Sequence, residues 1–322
     1  MASRAAYPSF LVVGAAKAGT TAIYQYLRQH PQIYLTPLKE TNFFALDGTP
    51  PRFAGPRADI LNRDAIWRIE DYRRQFDGVT TETAIGEVCP RYLFTPGTAA
   101  RIARRVPEVR VIALLRNPAE RAFSGYSMYR RDGLEPATTF AAALSDEPRR
   151  IRENWAYAIH RRYGFYGAQL AEYYDCFPRE NIRCYLYEDF SAEPMALLAD
   201  LFRFIGVDSD FAPDMTRRPN RSGMIRNPLL RFLWTRTHHV RGALPLLPKS
   251  VRQRAAAFFT NRPMDPLPFP EEVRRDLLAS YRDDIRRLER LIGRDLGYWL
   301  PAQPMAAGRG HDTNRSRALH NA

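Results

Sequence analysis

Phe10-Leu11-Val12-Val13-Gly14-Ala15-Ala16-Lys17-Ala18-Gly19-Thr20-Thr21 is the stretch on which the reading of this chain turns. The apolar run Phe10–Val13 predicts a buried strand ending at Gly14. A helix is expected from Thr20 to about His30, with Ile23, Tyr26 and Leu27 on one face and His30-Pro31 closing it. Between them, Gly14 and Gly19 keep the glycine spacing of a nucleoside-triphosphate P-loop, G-x-x-x-x-G-K-[ST]. The lysine is displaced: Thr20 stands after the second glycine, and Lys17 lies two residues before it. Amides of Lys17, Ala18, Gly19, Thr20 and Thr21, at the head of the helix, can still cradle a phosphate-like anion. The displaced lysine points to a leaving anion other than the γ-phosphate of ATP, and so to nucleotide-dependent group transfer.

Outward from this loop, strands and helices alternate. Further strands are expected at Ile33–Leu35, Thr83–Glu87, Val109–Leu115 and Ile182–Tyr187. Helices are expected around 66–76, 97–106, from Pro118 to about Arg131, over roughly 151–176, and at 194–205. Residues 132–150 read as a charged, mobile stretch. Glu271–Ile292 is strongly amphipathic, with Leu277, Tyr281, Ile285, Leu288 and Leu291 spaced to bury one face. Such alternation gives an α/β class: a P-loop-like three-layer fold with a central, mainly parallel sheet flanked by helices. Ligands then sit outside the carboxyl ends of the strands. Residues 1–302 are expected to form a single domain, with 208–270 as a lid or acceptor-site insertion and 303–322 as a disordered tail.

Composition narrows the class. At 322 residues and 45% hydrophobic, the chain can bury a substantial core. No apolar stretch approaches the roughly 18–20 residues of a membrane span, and the short run before Gly14 is too brief for a signal peptide. Cys89, Cys176 and Cys184 form neither a metal-ligand spacing nor an even disulfide set, so reduced thiols and a cytoplasmic location are expected. Net charge is +13, and Lys17, Lys39 and Lys249 are the three lysines among 48 basic residues. Genomic coding bias and an anionic ligand surface both account for the arginines. Those arginines spread along the whole chain instead of clustering with aromatics, which speaks against a nucleic-acid partner. A kinase-like NTPase would want a lysine at position 20 and a strand-end Asp for Mg²⁺; Thr20 and Arg116 speak against it.

A second segment carries chemistry: Arg116-Asn117-Pro118-Ala119-Glu120-Arg121-Ala122-Phe123-Ser124. Arg116 ends the buried strand 109–115, where a guanidinium can grip a phosphate bidentately, and Ser124 lies about two turns into the next helix. Together, the Lys17 loop and this segment resemble the 5′-phosphosulfate and 3′-phosphate motifs of sulfotransferases that use 3′-phosphoadenosine 5′-phosphosulfate (PAPS). The chain looks closest to bacterial members and the heparan-sulfate sulfotransferase branch, over roughly residues 8–300. Supporting marks are Cys176-Phe177-Pro178, Tyr187-Glu188-Asp189-Phe190 and the ending Leu291 to Trp299. The resemblance implies an enzyme of the EC 2.8.2 class that yields adenosine 3′,5′-bisphosphate and needs no metal. Lys17 and the loop would hold the 5′ side, and Arg116 and Ser124 the 3′-phosphate.

The resemblance also offers a base. In Lys39-Glu40-Thr41-Asn42-Phe43-Phe44, Glu40 falls where the heparan-sulfate-like branch carries its general base, and a carboxylate there can take an acceptor's proton. In Gly86-Glu87-Val88-Cys89-Pro90, Glu87 is a second candidate base or acceptor contact, and Val88 replaces a lysine often found in glycan-modifying relatives. Asn220-Arg221-Ser222-Gly223 resembles a late loop on the cofactor's 3′-phosphate side, which makes Arg221 and Ser222 further candidates. Tyr163, Phe165 and Tyr166 suit either an adenine stack or the core. His160 reads as surface or core, while His238-His239 could approach an acceptor. The acceptor itself is expected to be a carbohydrate, glycolipid or natural product.

Overall fold

Five short strands organise the chain, and their pairing follows from which of them are apolar on both faces. They are β1 (Phe10–Gly14), β2 (Ile33–Leu35), β3 (Ala84–Val88), β4 (Arg110–Leu115) and β5 (Ile182–Leu186), in the sheet order β2-β3-β1-β4-β5. Every pairing is parallel: Phe10 lies opposite Gly86 and Arg110, Ile33 opposite Ala84, and Val111 opposite Ile182. β1 and β3 are buried throughout, as central parallel strands covered on both faces must be. The computed structural model describes residues 7–216, 224–225, 264–265 and 267–301.

The helices that cover the sheet are α1 (Thr20–Leu27), α2 (Phe43–Leu46), α3 (Ala58–Asp64), α4 (Ile69–Arg73), α5 (Arg91–Phe94), α6 (Thr98–Arg105), α7 (Pro118–Arg131), α8 (Phe140–Arg152), α9 (Tyr166–Cys176), α10 (Tyr187–Ala192), α11 (Pro194–Ile205) and α12 (Glu271–Ile292). α7 begins as its sequence suggests: Asn117 Oδ1 accepts from the amides of Ala119 and Glu120, and Pro118 fills the first turn. α12 buries Leu277, Leu278, Tyr281, Ile285 and Leu288. Its Asp284 carboxylate accepts the Gly167 and Ala168 amides at 2.8 Å each, so one helix supplies the N-terminal cap of α9.

Three expectations change. The stretch 132–150 is ordered, and 140–152 is α8. It buries Phe140, Ala143 and Leu144 together with Glu147 and Arg150, so two of its charges lie inside the fold while Arg149 and Arg152 stay exposed. The helix expected over 151–176 is confined to α9, because Glu147 takes the amides of His160, Arg161 and Arg162 and turns the chain there. The helix expected over 66–76 is α4 followed by a 3₁₀ turn at 74–76.

Of the expected insertion, residues 208–216 run as coil against the end of α1. There the Asp208 amide donates to Gln32 Oε1 and the Asp214 amide to Gln29 Oε1, both at 2.7 Å. An antiparallel pair, β6 (Met224–Ile225) and β7 (Met264–Asp265), is also described. The rest of 208–270, His238-His239 and the tail 303–322 lie outside the described residues. Among the described residues, no helix is long and apolar enough to cross a membrane.

Because all five strands run the same way, their carboxyl ends share one edge. Gly14–Gly19, the loop 36–42, Cys89-Pro90, Arg116-Asn117 and Tyr187 therefore come to the same side of the sheet. That edge carries the candidate site.

Candidate active site

The loop after β1 is held by few bonds and strained at one residue, Lys17. The Ala15 amide donates to Leu114 O at 2.7 Å and the Ala18 amide to Ala15 O at 3.1 Å. Lys17 (φ 71°) and Gly19 (φ 103°) both take left-handed backbone, free of strain for glycine alone. A side chain at Gly19 would also press on Leu114 and Tyr187. α1 starts at Thr20 without a side-chain cap; the Ala22 and Ile23 amides donate to Gly19 O, which leaves the Thr20 and Thr21 amides at the helix head for an outside acceptor. Ala18 and Thr20 are buried, and Thr21 is half-buried.

The left-handed turn sends the Lys17 side chain across to α7. Its ammonium donates to Met128 Sδ at 3.1 Å, and among the described residues this is its one hydrogen bond. A thioether is a weak acceptor, so the cation is held in place but not neutralised. Desolvation, with the Arg131 charge next, lowers the Lys17 pKa to about 8. Arg116 lowers it further, while Asp132 and Glu40 oppose, so Arg116 and Glu40 both act on this ammonium.

Arg116 leaves β4 with its guanidinium over the Tyr187 ring, 4.8 Å from the centroid. Among the described residues no carboxylate forms a salt bridge with it. Ser124 lies buried one turn before Met128 on α7. A Cβ at Gly125 would lie 3.8 Å from Lys17 Cγ, which places this stretch of α7 directly against the loop. The Thr20 and Thr21 amides, the Lys17 ammonium and the Arg116 guanidinium thus supply donors of the kind that a phosphate-like anion accepts from.

Glu40 lies in the loop after β2 with an exposed side chain, paired to Lys39. Its backbone is left-handed (φ 65°) and its amide donates to Val88 O at 3.1 Å. Glu87 departs from the sequence expectation. It is 0% exposed, and its oxygens are taken by three hydroxyls: Thr41 (2.5 Å) and Tyr92 (2.8 Å) on Oε1, and Tyr72 (2.8 Å) on Oε2. Burial pushes its pKa up against the pull of those donors. A carboxylate so enclosed does not meet an acceptor, because no face of it reaches the cleft.

Arg221 and Ser222 lie outside the described residues. Tyr163 stacks on Phe94 at 3.6 Å and Phe165 packs edge-on to Tyr281, so these aromatics belong to the interior. His160 is buried, with Nε2 2.7 Å from Glu135 Oε2. Sequence reasoning missed Met128, Tyr187 beneath Arg116, and the hydroxyls of Thr41, Tyr72 and Tyr92. Met128 had a signal, its place four residues after Ser124, and Tyr187 stood in the Tyr187–Phe190 mark with no role given to it; Tyr72 and Tyr92 come from separate elements and had none. Among the described residues, no group of three or more His, Cys, Asp or Glu lies together that could hold a metal ion.

Comparison with known proteins places the chain in a family. Residues 8–212 match the model of a family described as the sulfotransferase family. The chain is 27% identical over 210 residues to human bifunctional heparan sulfate N-deacetylase/N-sulfotransferase 3, covering 62% of this chain and 22% of that protein. It is 25% identical over 300 residues to mouse heparan sulfate glucosamine 3-O-sulfotransferase 6, covering 92% of this chain and 75% of that protein. A crystal structure of a sulfotransferase from Alicyclobacillus acidocaldarius superposes with a TM-score of 0.71 at 34% identity, over 92% of this chain and 99% of that one. The match to the first of these relatives spans about a fifth of its length.

Proposed function

Because the chain belongs to the sulfotransferase family, we propose that it transfers the sulfuryl group of PAPS to a hydroxyl or amine of a glycan or small-molecule acceptor. PAPS supplies an activated sulfuryl group, and adenosine 3′,5′-bisphosphate is the product left on the protein. Lys17 and the amides of Gly19, Thr20 and Thr21 hold the 5′ side and meet the charge that develops on the departing phosphate. Arg116 and Ser124 hold the 3′-phosphate, with Tyr187 keeping the guanidinium plane fixed. Glu40 takes the proton that the acceptor loses as its oxygen or nitrogen bonds to sulfur and the sulfur–phosphate oxygen bond breaks. Balance is kept: sulfuryl goes to the acceptor, the electron pair to the phosphate, and the proton to Glu40.

The single observation carrying this reading is the convergence on Lys17. One ammonium, held by a thioether, feels the charges of Arg116, just past β4, and of Glu40, in the loop after β2. Two relatives are named for heparan sulfate, which favours a sugar acceptor. Three unpaired cysteines favour a reducing compartment such as the cytoplasm. Elements β1 to α12 are proposed to act as one catalytic domain.

Calorimetric titration of wild type and Arg116→Ala with adenosine 3′,5′-bisphosphate, with ADP as control and EDTA present, tests the proposal. Wild type is expected to prefer the 3′-phosphorylated nucleotide, and Arg116→Ala to lose that preference. Equal affinity for ADP, or a need for Mg²⁺, would refute it.

A further inference from the structure

The proposed base hangs from a segment whose backbone is unfavourable on both sides of one residue. Glu40 (φ 65°) and Asn42 (φ 66°) are both left-handed, and Thr41 lies between them. Non-glycine residues keep such backbone when their surroundings over-determine it. Here the surroundings can be named. The Glu40 amide donates to Val88 O, and Asn42 Nδ2 donates to Glu40 O at 2.6 Å. Arg91 Nε donates to Asn42 Oδ1 at 3.1 Å. The deepest tie is the Thr41 hydroxyl, which donates to Glu87 Oε1 in the fully buried interior.

Glu87 is an unusual choice for that interior. A buried carboxylate is costly unless its oxygens are filled, and three hydroxyls fill them. Two carboxylate oxygens accept from all three hydroxyls, which an amide with its NH2 on one side does less well. Tyr72 and Tyr92 come from elements that pack around Phe43 and Phe44, so their rings belong to the core whatever their hydroxyls do. Thr41 differs. Its hydroxyl reaches the carboxylate from the cleft-side loop and also accepts the Phe43 amide at 3.2 Å.

We infer that Thr41 and Glu87 form a positioning pair: the buried carboxylate of β3 pegs the loop so that Glu40 is held toward the Lys17 edge while its side chain stays free to meet an acceptor. This rests on the sulfotransferase reading with Glu40 as base. It gives Glu87 a part in catalysis through Glu40's geometry and not through contact with substrate. A base held in near-attack position needs a fixed backbone and an accessible tip, which is the division seen here.

Thr41→Val keeps the shape and removes the hydroxyl; Thr41→Ser restores it. Three readouts are taken on wild type and both variants: calorimetric binding of adenosine 3′,5′-bisphosphate, hydrogen exchange of the Glu40 amide, and release of that nucleotide from PAPS with water or an aminosugar oligosaccharide as probe acceptor. Thr41→Val is expected to bind the nucleotide within about twofold of wild type. Its Glu40 amide should exchange at least about tenfold faster, and kcat should fall about tenfold to a hundredfold at nearly unchanged KM for PAPS, the range set by one lost hydrogen bond to a carboxylate. Thr41→Ser should recover most of both losses.

Unchanged exchange, unchanged kcat, or a Thr41→Ser as impaired as Thr41→Val would overturn the pair. Wild-type protein that fails to bind the nucleotide would instead overturn the sulfotransferase reading, and the exchange readout would still decide the peg. Should Thr41→Val not fold, Tyr92→Phe loosens the same carboxylate oxygen and carries the same readouts.

Discussion

Lys17 is the residue at which sequence and site meet most directly. Burial lowers its pKa to about 8 from the ordinary lysine value, so near neutral pH it is a cation close to giving up its proton. An anionic ligand needs the protonated form. Raising the pH through about 8 should therefore weaken adenosine 3′,5′-bisphosphate binding, by up to about tenfold per pH unit until the complex's own pKa is reached. Calorimetry at pH 7 and pH 9 checks this, and the added loss at pH 9 should vanish in Lys17→Ala, whose turnover should be abolished. Glu40→Gln removes the proposed proton acceptor and none of the proposed cofactor contacts. We expect near-native nucleotide affinity with kcat lower by about 10²–10⁴, the usual worth of general base catalysis, in a single-turnover assay.

At the scale of elements, α8 holds the charge that the sequence made look like solvent. Arg150 and Glu135 are both fully buried, joined at 2.6 and 2.8 Å, with the Ala158 carbonyl and His160 completing the cluster. Arg150→Ala leaves a buried carboxylate unpaired and should cost about 3–5 kcal/mol in urea unfolding. Pairing that change with Glu135→Ala should restore part of the loss. The contact of α9 with α12 is as unforgiving. A Cβ at Gly167 would lie 2.4 Å from the Asp284 carbonyl, so Gly167→Ala must push two helices apart and should cost about 1–3 kcal/mol by the same measurement. The buried face of α12 was legible because its apolar residues repeat at helical spacing. α8 was not, since Glu147 and Arg150 occupy core positions and break the periodicity that would reveal the helix.

For the molecule as a whole, ligand and pH should both move the stability. Nucleotide at 100 times its Kd should add about 2.7 kcal/mol, seen as a rise in melting temperature that ADP at equal concentration does not match. Acid should act through His160. Burial depresses its pKa below the usual 6.5, outweighing Glu135, which donates nothing but holds Nε2, together with Glu147; Arg121 adds to the depression. The unfolded chain then binds the proton more readily, so His160's contribution is fully present above about pH 6.5 and is lost as pH falls below it. Melting curves from pH 7.5 to 5 should show this loss, with a shallower slope in His160→Gln.

The apolar run of β1, the two glycines and the displaced Lys17 determined the strand–loop–helix opening of the α/β fold and, with Arg116 and Ser124, singled out the two segments proposed to hold the nucleotide. These readings are local: each rests on residues within a strand, a turn or a helix start, where spacing alone sets geometry. Which of two similar carboxylates faces the cleft was not local. Glu40 and Glu87 both lie near strand ends in sequence, yet tertiary packing exposes one and encloses the other among hydroxyls from Thr41, Tyr72 and Tyr92. Those hydroxyls come from separate elements, and no spacing along the chain encodes their meeting. Folding around β3 decides it, because a buried charge must find its donors wherever the packed core can supply them.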